Sequence, residues 1–234
     1  MRTLAIFLAL VMMACSTRLG KDGRSETTMD VKYLAKTEID RVADTSRAEV
    51  MAGLMLIADK LYRRNPKEWK KAGVASREAA LERLNMRHYR SLPELSGARE
   101  GQAASLAFSE SYGGDRVAAL MFGLLTMVDA AYEHKEEFYI LDGLNEAKLY
   151  NSARNMDVAI WKLGHDRMAS GEPFLLSNEL DPNNRNISFE REFGRVMGLL
   201  DFTAKLVADR NGRNFSRLTQ TVVGTIFLPV SFLK

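Results

Sequence analysis

Residues 117–128 read Val-Ala-Ala-Leu-Met-Phe-Gly-Leu-Leu-Thr-Met-Val, and Thr126 is the only polar side chain among them. A helix this apolar has no face to offer to water, so it belongs at the centre of a core. Twelve such residues are too few to cross a bilayer, which takes about 20. Asp115 stands where an N-cap belongs. The rest of the chain must therefore supply amphipathic elements that surround this segment.

It does so mostly with helical periodicity. From Glu38 to Arg64, Met51, Leu54, Met55, Ala58, Leu61 and Tyr62 recur every three or four residues on one face. Asn65-Pro66 ends that run, because proline disfavours helical geometry in the residue before it. A short helix over Lys67–Lys71 follows, then one from Arg77 to about Arg90 capped by Ser76, with a break at Leu92-Pro93. Further helices are expected over Gly97–Tyr112, Asn145–Ala169 and Ser188–Arg210. The last of these places Phe189, Phe193, Val196, Met197, Leu200 and Val207 inward and stops at Asn211-Gly212. Phe215–Leu233, interrupted by Pro229, is read as a terminal helix folding back on the core. Phe138–Leu141 and Phe174–Leu176 are β-type runs that either pair as two very short strands or lie as extended loops, with loops favoured. Five prolines and sixteen glycines suit few turns. The expected fold is mainly α, a single bundle-like domain of six to eight helices over residues 38–234.

The N-terminus carries a different signal. Arg2 precedes an unbroken apolar run, Leu4–Met13, which Met12-Met13-Ala14-Cys15 closes with a small residue before cysteine. This resembles the signal peptide and lipobox of bacterial lipoproteins. The resemblance implies cleavage of residues 1–14 and acylation of Cys15. Ser16, rather than aspartate, follows the cysteine, which implies the periplasmic face of an outer membrane. The apolar run is also too short for a spanning helix. Residues 15–37 are polar, with scattered apolar side chains, and read as a lipidated flexible tether reaching on the order of 25 Å.

This address restricts the chemistry. Cys15 is the only cysteine, so an acylated chain has no thiol left for disulfides, metal binding or nucleophilic attack. Without residues 1–14 the chain has 32 basic and 30 acidic side chains. Export and near-balanced charge point away from nucleic acid. No phosphate-binding glycine loop, serine-nucleophile motif or H-E-x-x-H is present. Asp181–Glu192 fails as a calcium loop, because Arg185 and Asn186 occupy positions that need an oxygen ligand and glycine. His88, His134 and His165 lie far apart in sequence, and no cofactor is implied.

Two features remain. On the Asn145 helix, Asn151, Arg154, Asn155, Lys162 and His165 share one face with Trp161, a stripe able to hold a polar or anionic ligand. The bland reading is a solvated face with Arg154 paired to Asp157. Lys60–Arg90 contains ten basic and three acidic residues, a net +7, and suits anionic headgroups or an acidic protein partner. The bland reading there is charge spread round three helices. The favoured function is that of a membrane-tethered, non-enzymatic lipoprotein that binds or scaffolds a partner. A helical small-ligand or lipid-binding lipoprotein comes second. A cell-wall or lipid hydrolase working through carboxylates such as Glu110 or Asp115 comes last.

Overall fold

The computed structural model describes residues 15–19, 25–29, 36–85, 91–139, 142–178, 186–212 and 226–233. The signal stretch 1–14, the Asp181–Asn184 turn, His88 and most of Phe215–Leu233 lie outside the described residues. The protein is mainly helical, with seven α-helices among the described residues: α1 (Glu38–Arg64), α2 (Glu68–Lys71), α3 (Arg77–Arg83), α4 (Glu100–Leu106), α5 (Arg116–Ala131), α6 (Glu146–His165) and α7 (Ser188–Arg210). None of the helices is long and apolar enough to cross a membrane.

Helix α5 is the centre that its composition demands. Every residue in it except Asp129 is buried. The long helices close a ring in which α1 meets α5, α5 meets α6, α6 meets α7 and α7 returns to α1. Helices α2 and α4 cover the outer side of α5. Gly123 allows the α4 contact, since a Cβ there would lie 2.5 Å from the Ala104 nitrogen. The lone polar side chain of the apolar run is also used, because Thr126 Oγ1 accepts the Glu100 N–H at 2.8 Å.

Local sequence explains where the helices stop. Thr37 and Asp40 form a capping box at the start of α1, and Ser76, Asp115 and Asn145 cap α3, α5 and α6. Gly212, at φ +64°, follows the Asn211 cap of α7. Helix α4 is shorter than the expected Gly97–Tyr112. The Arg116 guanidinium donates to the carbonyls of Ala107 at 3.0 Å and Ser109 at 2.8 Å, taking acceptors that a longer helix would have needed. Helix α3 ends at Arg83 with Leu84 as its cap. Helix α6 ends at His165 because Asp166 turns to an extended conformation.

The two ends of the described chain lie outside the helices. Within the stretch read as a tether, Cys15–Leu19 and Ser25–Met29 pair as antiparallel strands β1 and β2, with Cys15 opposite Met29. At the other end, residues 226–233 are an extended strap and not a terminal helix. Pro229 has no N–H to give a helix, and the main chain beside it is taken by side chains of α6. Phe138–Tyr139 and Phe174–Leu176 are loops, and only an isolated bridge, Arg167 with Pro173, forms beside the second.

Candidate functional site

The polar stripe on α6 turns inward and sideways onto the protein itself. Asn155 is fully buried, and its amide takes both polar groups of Leu228. It donates to the carbonyl at 2.9 Å and accepts the N–H at 2.6 Å. One turn earlier, Asn151 donates to the Pro229 carbonyl at 2.9 Å. Val230 is fully buried beyond them. Ser231 closes the strap through bonds to the Glu100 carboxylate. The two amides thus hold peptide groups, as their chemistry allows, but the peptide is the chain's own C-terminal strap.

The other members of the stripe are likewise engaged. Arg154 bridges Asp157 at 2.7 Å and Asp201 at 2.5 Å, tying α6 to α7. Burial pushes the Asp157 carboxyl above its ordinary pKa, Arg154 pulls it back, and Asp201 pushes it up again. Lys162 pairs with Asp166 and lies over the Phe108 ring. His165 bonds locally, its Nδ1–H donating to the Trp161 carbonyl at 2.8 Å, and its ring stacks on Trp161 with centroids 4.6 Å apart. Trp161 stays 45% exposed.

The basic segment is also largely balanced where it is described. Arg63 and Arg77 meet Asp59, Lys71 meets Glu68, and Arg83 meets Glu94. Lys60 donates to the Ser188 carbonyl and lies over Phe189. Arg87 and Arg90 lie outside the described residues. The carboxylates considered for catalysis serve the backbone. Asp115, with no exposed surface, accepts from Ala118 N and from the Tyr62 hydroxyl, both at 2.9 Å. Glu110 accepts the Ala169 N–H. Burial raises the Asp115 pKa above the carboxylate range, although both bonds pull it down. Among the described residues, no group of three or more His, Cys, Asp or Glu side chains is placed to hold a metal ion.

A different surface has the form of a site. Helices α1 and α3 and the loop after α5 enclose a cleft of about 680 Å³. Its apolar lining is Met51, Met55, Leu81, Leu84 and Leu125, and its acidic lining is Asp44, Glu78, Glu82, Glu136 and Glu137. Among the described residues, Arg47 is the one basic side chain in the lining, and it pairs with Asp129 at 3.2 Å.

The loop carrying Glu136 and Glu137 is held in place from three sides. Glu133 and His134 follow α5 in the left-handed region, at φ +52° and +58°, a conformation that costs a non-glycine residue roughly 1–2 kcal/mol. Lys148 grips the Glu133 carboxylate, and Asp129 takes the His134 ring at 2.6 Å. Asp44 then accepts the Phe138 N–H at 2.7 Å and pairs with Lys36. Burial lowers the Lys36 pKa, but the bond and charge of Asp44 outweigh it and leave the ammonium above its ordinary value. Sequence reasoning set Met51 and Met55 on one face with Leu54, Ala58 and Leu61, which are buried. Both methionines are only partly buried.

Compared with known proteins, the chain matches no family model, no curated sequence and no solved structure.

Proposed function

We propose that this protein is an envelope lipoprotein, anchored by acyl chains on Cys15 at the periplasmic face of the outer membrane, whose helical body binds a partner and performs no chemistry. The observation that carries the binding role is the cleft beside α1. Its volume falls in the range of ligand pockets, roughly 300–1,000 Å³, and it combines an apolar floor with charge at the edge. The anchor rests on the lipobox sequence. The small-ligand reading of the α6 stripe has less support, because Asn151, Arg154, Asn155 and Lys162 bond within the chain.

The two halves of this proposal are tested together. Cys15→Ala is expected to move the protein from the membrane fraction to the soluble one. Crosslinking in intact cells is expected to give a discrete adduct that Met51→Ala/Met55→Ala removes. Retention of Cys15→Ala in membranes contradicts the anchor. Adducts indifferent to the methionine pair contradict the binding surface.

A further inference from the structure

The C-terminal strap is held by groups that read main chain. Asn155 takes the N–H and the carbonyl of Leu228, and Asn151 takes the Pro229 carbonyl. Ser231 gives its N–H and its hydroxyl to the Glu100 carboxylate. Pro229 has no N–H for the groove to satisfy. Side chains are read at two seats. Val230 is fully buried, and Phe227 lies against Gly101, where an added Cβ would come within 2.7 Å of the Phe227 Cβ. The wall of the groove is set in advance. Glu100 stands at φ +48°, a strained conformation for a residue with a side chain, and its N–H is fixed on Thr126. Asn155 is fully buried, so its amide oxygen needs the donor that a peptide N–H supplies. A strained residue and a buried amide, both turned on a segment that forms neither helix nor sheet, describe a groove built to hold an extended peptide.

We infer that the groove between α4 and α6 is a peptide-binding site, and that it takes residues 226–233 of a second copy of this chain in exchange for its own. The main-chain bonds are the same whichever copy supplies them. A second copy also carries, by identity, the Val230 and Phe227 that the two seats fit. Exchange replaces each bond by its equal. The balance is therefore set by the concentration of copies against the intramolecular advantage of the chain's own strap. The groove shares no residue with the cleft that Ala52 and Met55 line, so this inference goes beyond the binding role of the cleft and is independent of it.

The test uses the full chain in detergent. Gln102 and Phe232 both line the cavity of about 490 Å³ beside the strap. Gln102→Cys/Phe232→Cys in one chain is expected to close an internal disulfide, which serves as the proximity control. A tagged copy with Gln102→Cys is then mixed with a differently tagged copy carrying Phe232→Cys and gently oxidised. A bridge between positions 102 and 232 of different copies is expected, with a yield that rises with protein concentration, and mass spectrometry distinguishes it from any bridge to Cys15. A synthetic peptide of residues 226–234 is expected to suppress this bridge at least about tenfold more effectively than the same peptide N-methylated at Leu228, which has no N–H for Asn155. An internal bridge with no bridge between copies, even at about 1 mM chain, overturns the exchange. Equal potency of the N-methylated peptide overturns the reading of main chain. If the internal bridge does not close, the labelled peptide is titrated by anisotropy onto full-length Val230→Asp, whose own strap carries a charge into a buried seat. Phe227→Ala/Ser231→Ala takes its place if far-UV circular dichroism shows that Val230→Asp disturbs the fold. Binding that N-methylation weakens about tenfold supports the site, and no binding to the folded variant overturns it.

Discussion

The stripe on α6 and the face of α1 look alike as sequence and do opposite things in the fold. Both are helical faces that mix small, polar and bulky residues. The α6 stripe spends its hydrogen-bonding groups inside the molecule, where Asn151 and Asn155 pin the C-terminal strap and Arg154 ties α6 to α7. The α1 face keeps apolar surface at the edge of a cleft and surrounds it with carboxylates. Amide and guanidinium groups at helical spacing show that something will be bound, without saying whether it belongs to the same chain. Apolar residues at the same spacing show that something will be covered, with the same ambiguity.

The comparison separates stability from binding, and substitutions sharpen it. The largest effect is expected from Asn155→Ala, which leaves the Leu228 N–H and carbonyl without partners. Thermal or denaturant unfolding is expected to show a loss of about 2–4 kcal/mol, with faster hydrogen exchange at Leu228 and unchanged binding at the cleft. A fully stable Asn155→Ala breaks the claim that this face is structural.

Asp115→Ala comes next, at about 2–3 kcal/mol, because it removes the α5 cap and strands the buried Tyr62 hydroxyl. Asp115→Asn keeps the acceptor for the Ala118 N–H, turns an amide N–H toward the Tyr62 hydroxyl, which can accept it, and sharpens the point through pH. Burial raises the folded pKa of Asp115, so its carboxyl favours the fold most below the ordinary carboxylate pKa and loses that contribution as pH climbs through the raised value. Denaturant titrations from about pH 3.5 to pH 7 are therefore expected to show wild type losing ground to Asp115→Asn. A gain for wild type over that range contradicts burial as the dominant influence.

Met51→Ala/Met55→Ala inverts the pattern. These side chains are only partly buried, so stability is expected to fall by no more than about 1.5 kcal/mol, while partner capture is lost. Arg154→Ala is the smallest, at most about 1 kcal/mol for a pair of partly exposed ion pairs, measured by denaturant midpoint.

Much of the architecture was legible because capping and breaking residues mark it locally. Thr37, Ser76, Asp115, Asn145 and Asn211 bound helices where they stand in the sequence, and the all-apolar run at 117–128 could only be central. The misses share a physical cause, which is dependence on side chains outside the element concerned. Helix α4 is cut short by Arg116, and the strap is extended because Asn155, more than seventy residues upstream, takes the polar groups of Leu228. The buried hydroxyl cluster of Ser46, Tyr132 and Thr203 depends in the same way on three separate elements. For the candidate site, the residues of the α6 stripe were legible as binders but not their target. The cleft was hidden because Met51 and Met55 carry the same period as the core residues beside them, and no local pattern tells a covered methionine from an uncovered one.

The central claim is that the α1 face, and not the α6 stripe, looks out to a partner. A photoreactive amino acid placed in turn at Ala52 and at Trp161, followed by irradiation of intact cells, tests it most directly. The account predicts a discrete adduct from position 52 that disappears with Met51→Ala/Met55→Ala, and only background from position 161. An adduct from position 161 with none from position 52 contradicts it.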